Sequence, residues 1–97
     1  MDHSQERIDA LKKEHGSIFK YTSKDGKSCL LRSPNLKIID ACRTVANGST
    51  VKFDKALVEN CWIEGDEELR TNDNYCMGLF DWLPAIIKKV DGQLEEL

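Results

Sequence analysis

The stretch NCWIEGDEEL, residues 60–69, places a cysteine and a tryptophan just before a glycine and four carboxylates. Thiolates and carboxylates can bind metal ions, and adjacent carboxylates can perform acid–base chemistry. An EF-hand calcium loop alternates its ligands along the chain, however, whereas consecutive acids point in different directions. The pattern therefore favours a structural role, in which the glycine ends one helix and the next begins with Asp66, Glu67 and Glu68 at the positive end of its dipole.

The four cysteines do not show the spacing of a zinc site. They are Cys29, Cys42, Cys61 and Cys76, separated by 13, 19 and 15 residues, whereas zinc sites favour a pair only about two to four residues apart. We therefore expect buried or half-buried free thiols that act as small hydrophobes. The sequence predicts no metal and no cofactor, although it leaves open whether the thiols are close in space.

Catalytic patterns are likewise missing from the sequence. It contains no G-x-S-x-G elbow, no H-E-x-x-H helix and no glycine-rich phosphate loop. Its two histidines, His3 and His15, lie in the charged N-terminal segment, distant in sequence from every cysteine. We therefore expect a protein that is not an enzyme.

Length and composition describe one small domain, 1–97. The chain has 97 residues, 40% of them hydrophobic, and a net charge of -3, which is typical of a single soluble unit. Neither the apolar stretch of a signal peptide nor an apolar run of about 18 residues is present. We therefore expect a cytoplasmic protein.

Negative charge is concentrated between Asp54 and Asp81, where eight carboxylates face only Lys55 and Arg70. Nucleic-acid binding normally requires a basic surface that neutralises phosphates. Direct binding to DNA or RNA is therefore disfavoured, and the acids are expected to form either a solvated face or a contact with a basic partner.

The hydrophobic pattern predicts an α+β fold that begins with an N-terminal helical arm, 1–15, and a β-hairpin, 17–33. The arm has a narrow apolar stripe, which predicts either a segment that needs a partner to hold it or, as is usual at a terminus, a frayed arm. Asp25-Gly26 predicts a type I' turn between strands Ile18–Thr22 and Ser28–Arg32. That turn would place Tyr21 opposite Leu30. A candidate third strand near 49–53 or another subunit would complete the sheet.

The helical part, 34–97, is expected to contain a cluster of three to four helices. Ser33 is suited to cap the first of these, with Pro34 at its first position and an end at 47–48. Asp54 is the predicted cap of the second helix, which would continue through Cys61 and Trp62.

A long apolar stripe then runs from Tyr75 to Val90 at intervals of three and four residues. Pro84 predicts a break in this stripe, and the glycine of 91–92 predicts its end. Trp62 and Trp82 are open to two interpretations, as packing residues or as anchors of an interface.

The order of these parts carries a family resemblance over residues 16–97. A hairpin that ends in LLRSP, a helix, the pattern L-x-x-N-C-W-x-x-G-D and a closing G-x-L-x-x-L resemble the small tail-assembly-chaperone-like proteins encoded beside tape-measure genes in tailed phages and prophages. The resemblance implies a cytosolic, non-enzymatic protein without a cofactor. It also implies partners among virion-assembly proteins, such as the tape-measure or tail-tube protein.

The leading hypothesis is therefore a protein-interaction module of the phage or prophage tail-assembly-chaperone type. Its candidate protein-binding residues are Trp62, Asp66, Glu67, Glu68 and Trp82. The alternative is an acidic inhibitor or regulator that imitates nucleic acid and binds a DNA-handling protein. Homo-oligomerisation, including pairing of the hairpin edge with another chain, stays open at this point.

Overall fold

The computed structural model describes residues 4–97 and has the predicted α+β fold. Its helices are α1 (Gln5–His15), α2 (Leu36–Ala46), α3 (Thr50–Cys61), α4 (Glu68–Thr71), α5 (Asp73–Phe80) and α6 (Leu83–Ile86). Its strands are β1 (Ile18–Thr22), β2 (Ser28–Arg32) and β3 (Trp62–Gly65), in the sheet order β1-β2-β3. The first three residues of the predicted arm, including His3, lie outside the described residues.

The hairpin strands are confirmed at their predicted positions, but the predicted turn is wrong. A type I' turn needs positive φ at both central residues, and in 23–27 only Gly26 has it, with φ 95°. The backbone N–H of Ser23 instead donates to the carbonyl of Lys27 at 2.7 Å, and that of Gly26 donates to the carbonyl of Ser23. The connection is therefore a five-residue loop.

The longer loop shifts the hairpin register by one residue. Tyr21 lies opposite Cys29 and not opposite Leu30, and Phe19 lies opposite Leu31. Because side chains alternate along a strand, these four paired residues share one face, and Leu30 points to the other. The shared face packs against the helices in the main core cluster.

A third strand is present, but it is β3 and not the segment near 49–53. Ser49 caps α3, because its hydroxyl accepts the backbone N–H of Lys52 at 3.2 Å. The candidate strand is therefore the first turn of α3. The predicted cap, Asp54, lies within that helix.

The close approach of β3 to β2 depends on a glycine. Gly65 lies opposite Cys29, and a Cβ atom on Gly65 would lie 2.4 Å from the Cα of Cys29. Ile63 is the extra residue of a β-bulge between the pairs of Leu30 with Glu64 and of Leu31 with Trp62. The prediction that Gly65 ends a helix is therefore wrong. Gly65 lies in β3 and allows this strand to pair with β2.

The start of α2 lies two residues later than predicted. Asn35 is the cap, since its side chain accepts the N–H of Ile38 at 2.9 Å. Ser33 is engaged elsewhere: its N–H donates to the carbonyl of Ser17, and its hydroxyl donates to the carbonyl of Ile86 at 2.8 Å. The first bond closes the open end of the hairpin, and the second attaches it to the last helix.

The predicted break at Pro84 is confirmed, because α5 ends at Phe80 and Pro84 lies in the first turn of α6. The predicted end at 91–92 is wrong. The backbone becomes extended at Ile87, with φ -83° and ψ 106°. Residues 88–97 have no regular secondary structure.

The described part of the arm forms α1, which packs on the sheet. Leu11 on α1 is 4% exposed, and Leu30 on the outer face of the sheet is 1% exposed. Arg7 of α1 donates to a carboxylate oxygen of Glu64 on β3 at 2.5 Å. The helix therefore covers the outer face of the sheet, while the larger core lies on the other face. Among residues 4–97, no helix is both long and apolar enough to cross a membrane.

We expect Gly65→Ala to lower the free energy of unfolding by about 1–3 kcal/mol more than the control Gly16→Ala. Both glycines have positive φ, at 151° and 84°, but only at Gly65 would the new methyl group overlap β2, since the space beside Gly16 is open. Urea denaturation of the three proteins measures the difference. Equal losses in the two variants would show that the contact with β2 is unimportant.

Candidate protein-interaction surface

Four of the five predicted binding residues lie at the junction of β3 and α4, and two of them, Trp62 and Glu67, contact the side chain of Arg70. We call Trp62, Asp66, Glu67, Glu68 and Arg70 the β3–α4 corner. The guanidinium carbon of Arg70 lies 4.4 Å from the centre of a Trp62 ring. Its nitrogens donate to both carboxylate oxygens of Glu67, at 2.8 and 2.9 Å, and to Glu59 of α3 at 3.2 Å.

The contacts with Arg70 affect the pKa of Glu67 and the exposure of the Trp62 ring. The hydrogen bonds from Arg70 hold the pKa of Glu67 below its ordinary value, and the guanidinium covers one face of the half-buried indole. Glu67 precedes α4 but makes no capping hydrogen bond with its side chain. The predicted helix start at these acids is confirmed, since α4 begins at Glu68, but the side chain of Glu67 binds Arg70 and does not cap the helix.

Asp66 extends the pairing of β2 with β3 beyond Gly65. Its Oδ2 accepts the backbone N–H of Ser28 at 2.8 Å, and its own N–H donates to the carbonyl of Ser28 at 2.9 Å. The carboxylate thus occupies the position that a strand carbonyl would take. This use of Asp66 is structural.

Glu68 links the corner to the hairpin loop. Its carboxylate lies 3.6 Å from the ammonium of Lys27, which is also 5.9 Å from the centre of the Tyr75 ring. The hydroxyl of Tyr75 donates to Asp25, and this bond raises the pKa of Tyr75 to about 12. Hydrogen bonds from Ser23 and Tyr75 lower the pKa of Asp25. The three predicted acids therefore all have partners within the chain.

Trp82 lies apart from the corner in the chain, in the turn between α5 and α6, and is 63% exposed. Asp73 and Met77 on α5 and Asp81 directly after it follow one another at four-residue intervals and are all exposed, so they lie on one side of the helix. We call these three residues, together with Trp82 directly after Asp81 in the chain, the α5 outer face. Met77, which is 58% exposed, was not predicted, although its spacing from two aspartates was visible in the sequence.

All four cysteines are buried free thiols, as the sequence predicted. Burial raises the pKa of Cys29 to about 12 and that of Cys61 to about 11. Cys42 adds to the shift at Cys61 after burial, so these two thiols lie close to each other. Within residues 4–97, no group of three or more His, Cys, Asp or Glu side chains is arranged to hold a metal ion.

No family model, curated protein or solved structure matches the chain.

Arg70→Lys is expected to lower the free energy of unfolding by about 1 kcal/mol, because an ammonium cannot both bridge two carboxylates and cover an indole face. In a Trp82→Phe background, which leaves Trp62 as the only indole, its fluorescence emission should also move to longer wavelength. Arg43→Lys on the exposed surface of α2 is the matched control. If both lysine variants have the stability and emission of their parent, the Arg70–Trp62 contact has no measurable effect.

The buried thiols predict a loss of stability at alkaline pH. An unfolded cysteine ionises near its ordinary pKa of 9.0, while Cys61 in the folded protein stays protonated up to a pKa of about 11. The folded state therefore retains protons that the unfolded state loses, and the free energy of unfolding falls as pH rises between these values. Cys61→Ala should show a smaller fall than the wild type in denaturant titrations at each pH. Identical slopes would contradict this account.

Proposed function

We propose that the protein is a non-enzymatic protein-interaction module of the tail-assembly-chaperone type. It binds other virion-assembly proteins, such as a tape-measure or tail-tube protein, through the α5 outer face. The observation that carries this proposal is the exposure of Trp82, 63% of whose surface remains open. The family resemblance of the sequence supports the class of partner, and the surface chemistry supports the mode of binding.

The backbone around Trp82 is fixed although its side chain is exposed. Its N–H donates to the carbonyl of Leu79, and its own carbonyl accepts the N–H of Ala85, both at 3.0 Å. Leu79 and Leu83, at 1% and 2% exposure, attach the turn to the core. An aromatic side chain on a fixed turn loses little conformational freedom on binding, which is the property of an interface anchor.

The other three residues of the α5 outer face indicate what the partner offers. Met77 adds a flexible apolar contact, while Asp73 and Asp81 on the same side of the helix add negative charge. The complementary surface is an apolar segment with lysine or arginine beside it. Such a segment is prone to aggregate when it is exposed, so covering it would keep the partner soluble.

The β3–α4 corner contributes less to this proposal than the sequence suggested. Binding through Asp66, Glu67 or Glu68 would require each to exchange a hydrogen bond or ion pair of the fold for one with the partner. Binding through Trp82 breaks no contact of that kind. We therefore assign the anchor to Trp82 and a supporting role to the corner.

Co-expression with the proteins encoded by neighbouring genes tests the proposal. We expect the wild type to raise the soluble yield of one of them and to retain it in a pull-down. Trp82→Ala should weaken that complex by at least about 30-fold, since truncation of an anchor costs about 2 kcal/mol or more. Leu36→Ala is the matched control, because Leu36 is 85% exposed on α2 and outside the α5 outer face.

Two outcomes would overturn the proposal. One is that no neighbouring protein binds or becomes more soluble. The other is that Trp82→Ala binds as tightly as the control. Capture of a DNA-handling protein in a complex that depends on Asp73 and Asp81 and weakens steeply with salt would instead favour the acidic inhibitor.

A further inference from the structure

The outer edge of the sheet is formed by β1, and its backbone groups have a definite direction. In the described part of the chain, β1 pairs on one side only, with β2. The carbonyls of Ser17 and Lys27 accept the N–H groups of Ser33 and Ser23 across the hairpin, at 3.0 and 2.7 Å. Antiparallel pairs alternate between bonded and non-bonded positions, so residues 17, 19, 21 and 23 face β2. The N–H and C=O groups of Ile18, Lys20 and Thr22 therefore face outward.

The positive charge near this edge favours pairing with an acidic strand over pairing with β1 of another copy. Lys20 is exposed at the middle of β1, and two β1 strands paired with each other would bring their lysines together. Residues 12–27 as a whole carry five lysines against Glu14 and Asp25. A strand that adds to this edge should therefore be negatively charged.

The C-terminal segment, residues 88–97, supplies such a strand. From Val90 onward its charges are Asp91, Glu95 and Glu96, with no lysine or arginine. Val90, Leu94 and Leu97 are fully exposed, at 102%, 103% and 109%. The segment leaves the fold beside the edge, because the ammonium of Lys88 lies 5.9 Å from the ring centre of Phe19 on β1.

We infer that the C-terminal segment of a second copy of this chain adds to the free edge of β1 as a fourth strand, and that the exchange is reciprocal. Since each copy has the edge and the segment side by side, two copies related by a two-fold axis can satisfy both at once. The added strand bonds to the outward groups of Ile18, Lys20 and Thr22. This inference does not depend on the proposed function.

The order of residues in the segment fits either register. Neighbouring residues of a strand point to opposite faces, so one of the adjacent Glu95 and Glu96 always lies on the face of Lys20. Leu94 and Leu97 are three residues apart, so one of them always lies on the face of Phe19 and Tyr21. Both aromatic side chains are only partly buried at that face, and a leucine from the second copy covers them further.

Sedimentation equilibrium of the full chain over a range of concentrations tests this inference. We expect a dimer that weakens with added salt. Lys20→Glu should raise the dissociation constant at least about tenfold, as should Glu95→Lys combined with Glu96→Lys, and all three changes together should restore much of the affinity. Lys52→Glu, at an exposed position on α3, is the matched control. Hydrogen exchange of the Ile18, Lys20 and Thr22 amides should slow as the dimer forms.

A chain that is monomeric at every concentration, with fast exchange at these three amides, would overturn the inference. Slow exchange that does not depend on concentration in a monomer would also overturn it, because the segment would then occupy its own edge. So would a dimer that Lys20→Glu and the double glutamate variant leave intact, because its interface would lie elsewhere. Unchanged thermal unfolding of the exposed-site variants shows that folding is not the cause.

Discussion

The close contact between β3 and β2 at Gly65 and Cys29 is the constraint on which the rest of the fold depends. A Cβ atom on Gly65 would lie 2.4 Å from the Cα of Cys29, so only glycine fits at this position without moving β2. Pairing at this point converts the hairpin into a three-stranded sheet, which a lone ribbon needs in order to be stable. It also brings Glu64 to Arg7 of α1, so the N-terminal helix is attached to the same sheet.

The sheet in turn decides what the acidic cluster does. Asp66 follows Gly65 directly and completes the ladder with Ser28, while Glu67 and Glu68 contact cations from α4 and the hairpin loop. Charges that are paired within the chain add little long-range field, because each is largely neutralised by its neighbour. The acids of the α5 outer face and of the C-terminal segment are better placed to attract another molecule, since exposed apolar side chains lie near them in the chain.

The two proposed binding surfaces therefore differ in the groups that they present. The α5 outer face presents Trp82 from a backbone fixed by hydrogen bonds, which suits binding of a separate protein. The β1 edge presents backbone groups beside lysines, which suits an extended acidic segment.

The sequence by itself determined the elements whose signals are local. The hairpin strands, the end of the N-terminal helix at residue 15, the break at Pro84 and the burial of four thiols all follow from residue type and spacing. Only the tertiary structure decided the rest, because those features depend on contacts between distant residues. In the sequence, residues 62–65 look like the end of a helix, but in the fold they pair with β2. Ser33 looks like a helix cap, but its hydroxyl donates to the carbonyl of Ile86. The same holds for the candidate site. The acids and both tryptophans were visible in the sequence. Their contacts with Arg70, Ser28 and Lys27, which engage Trp62 and the acids within the fold, were not.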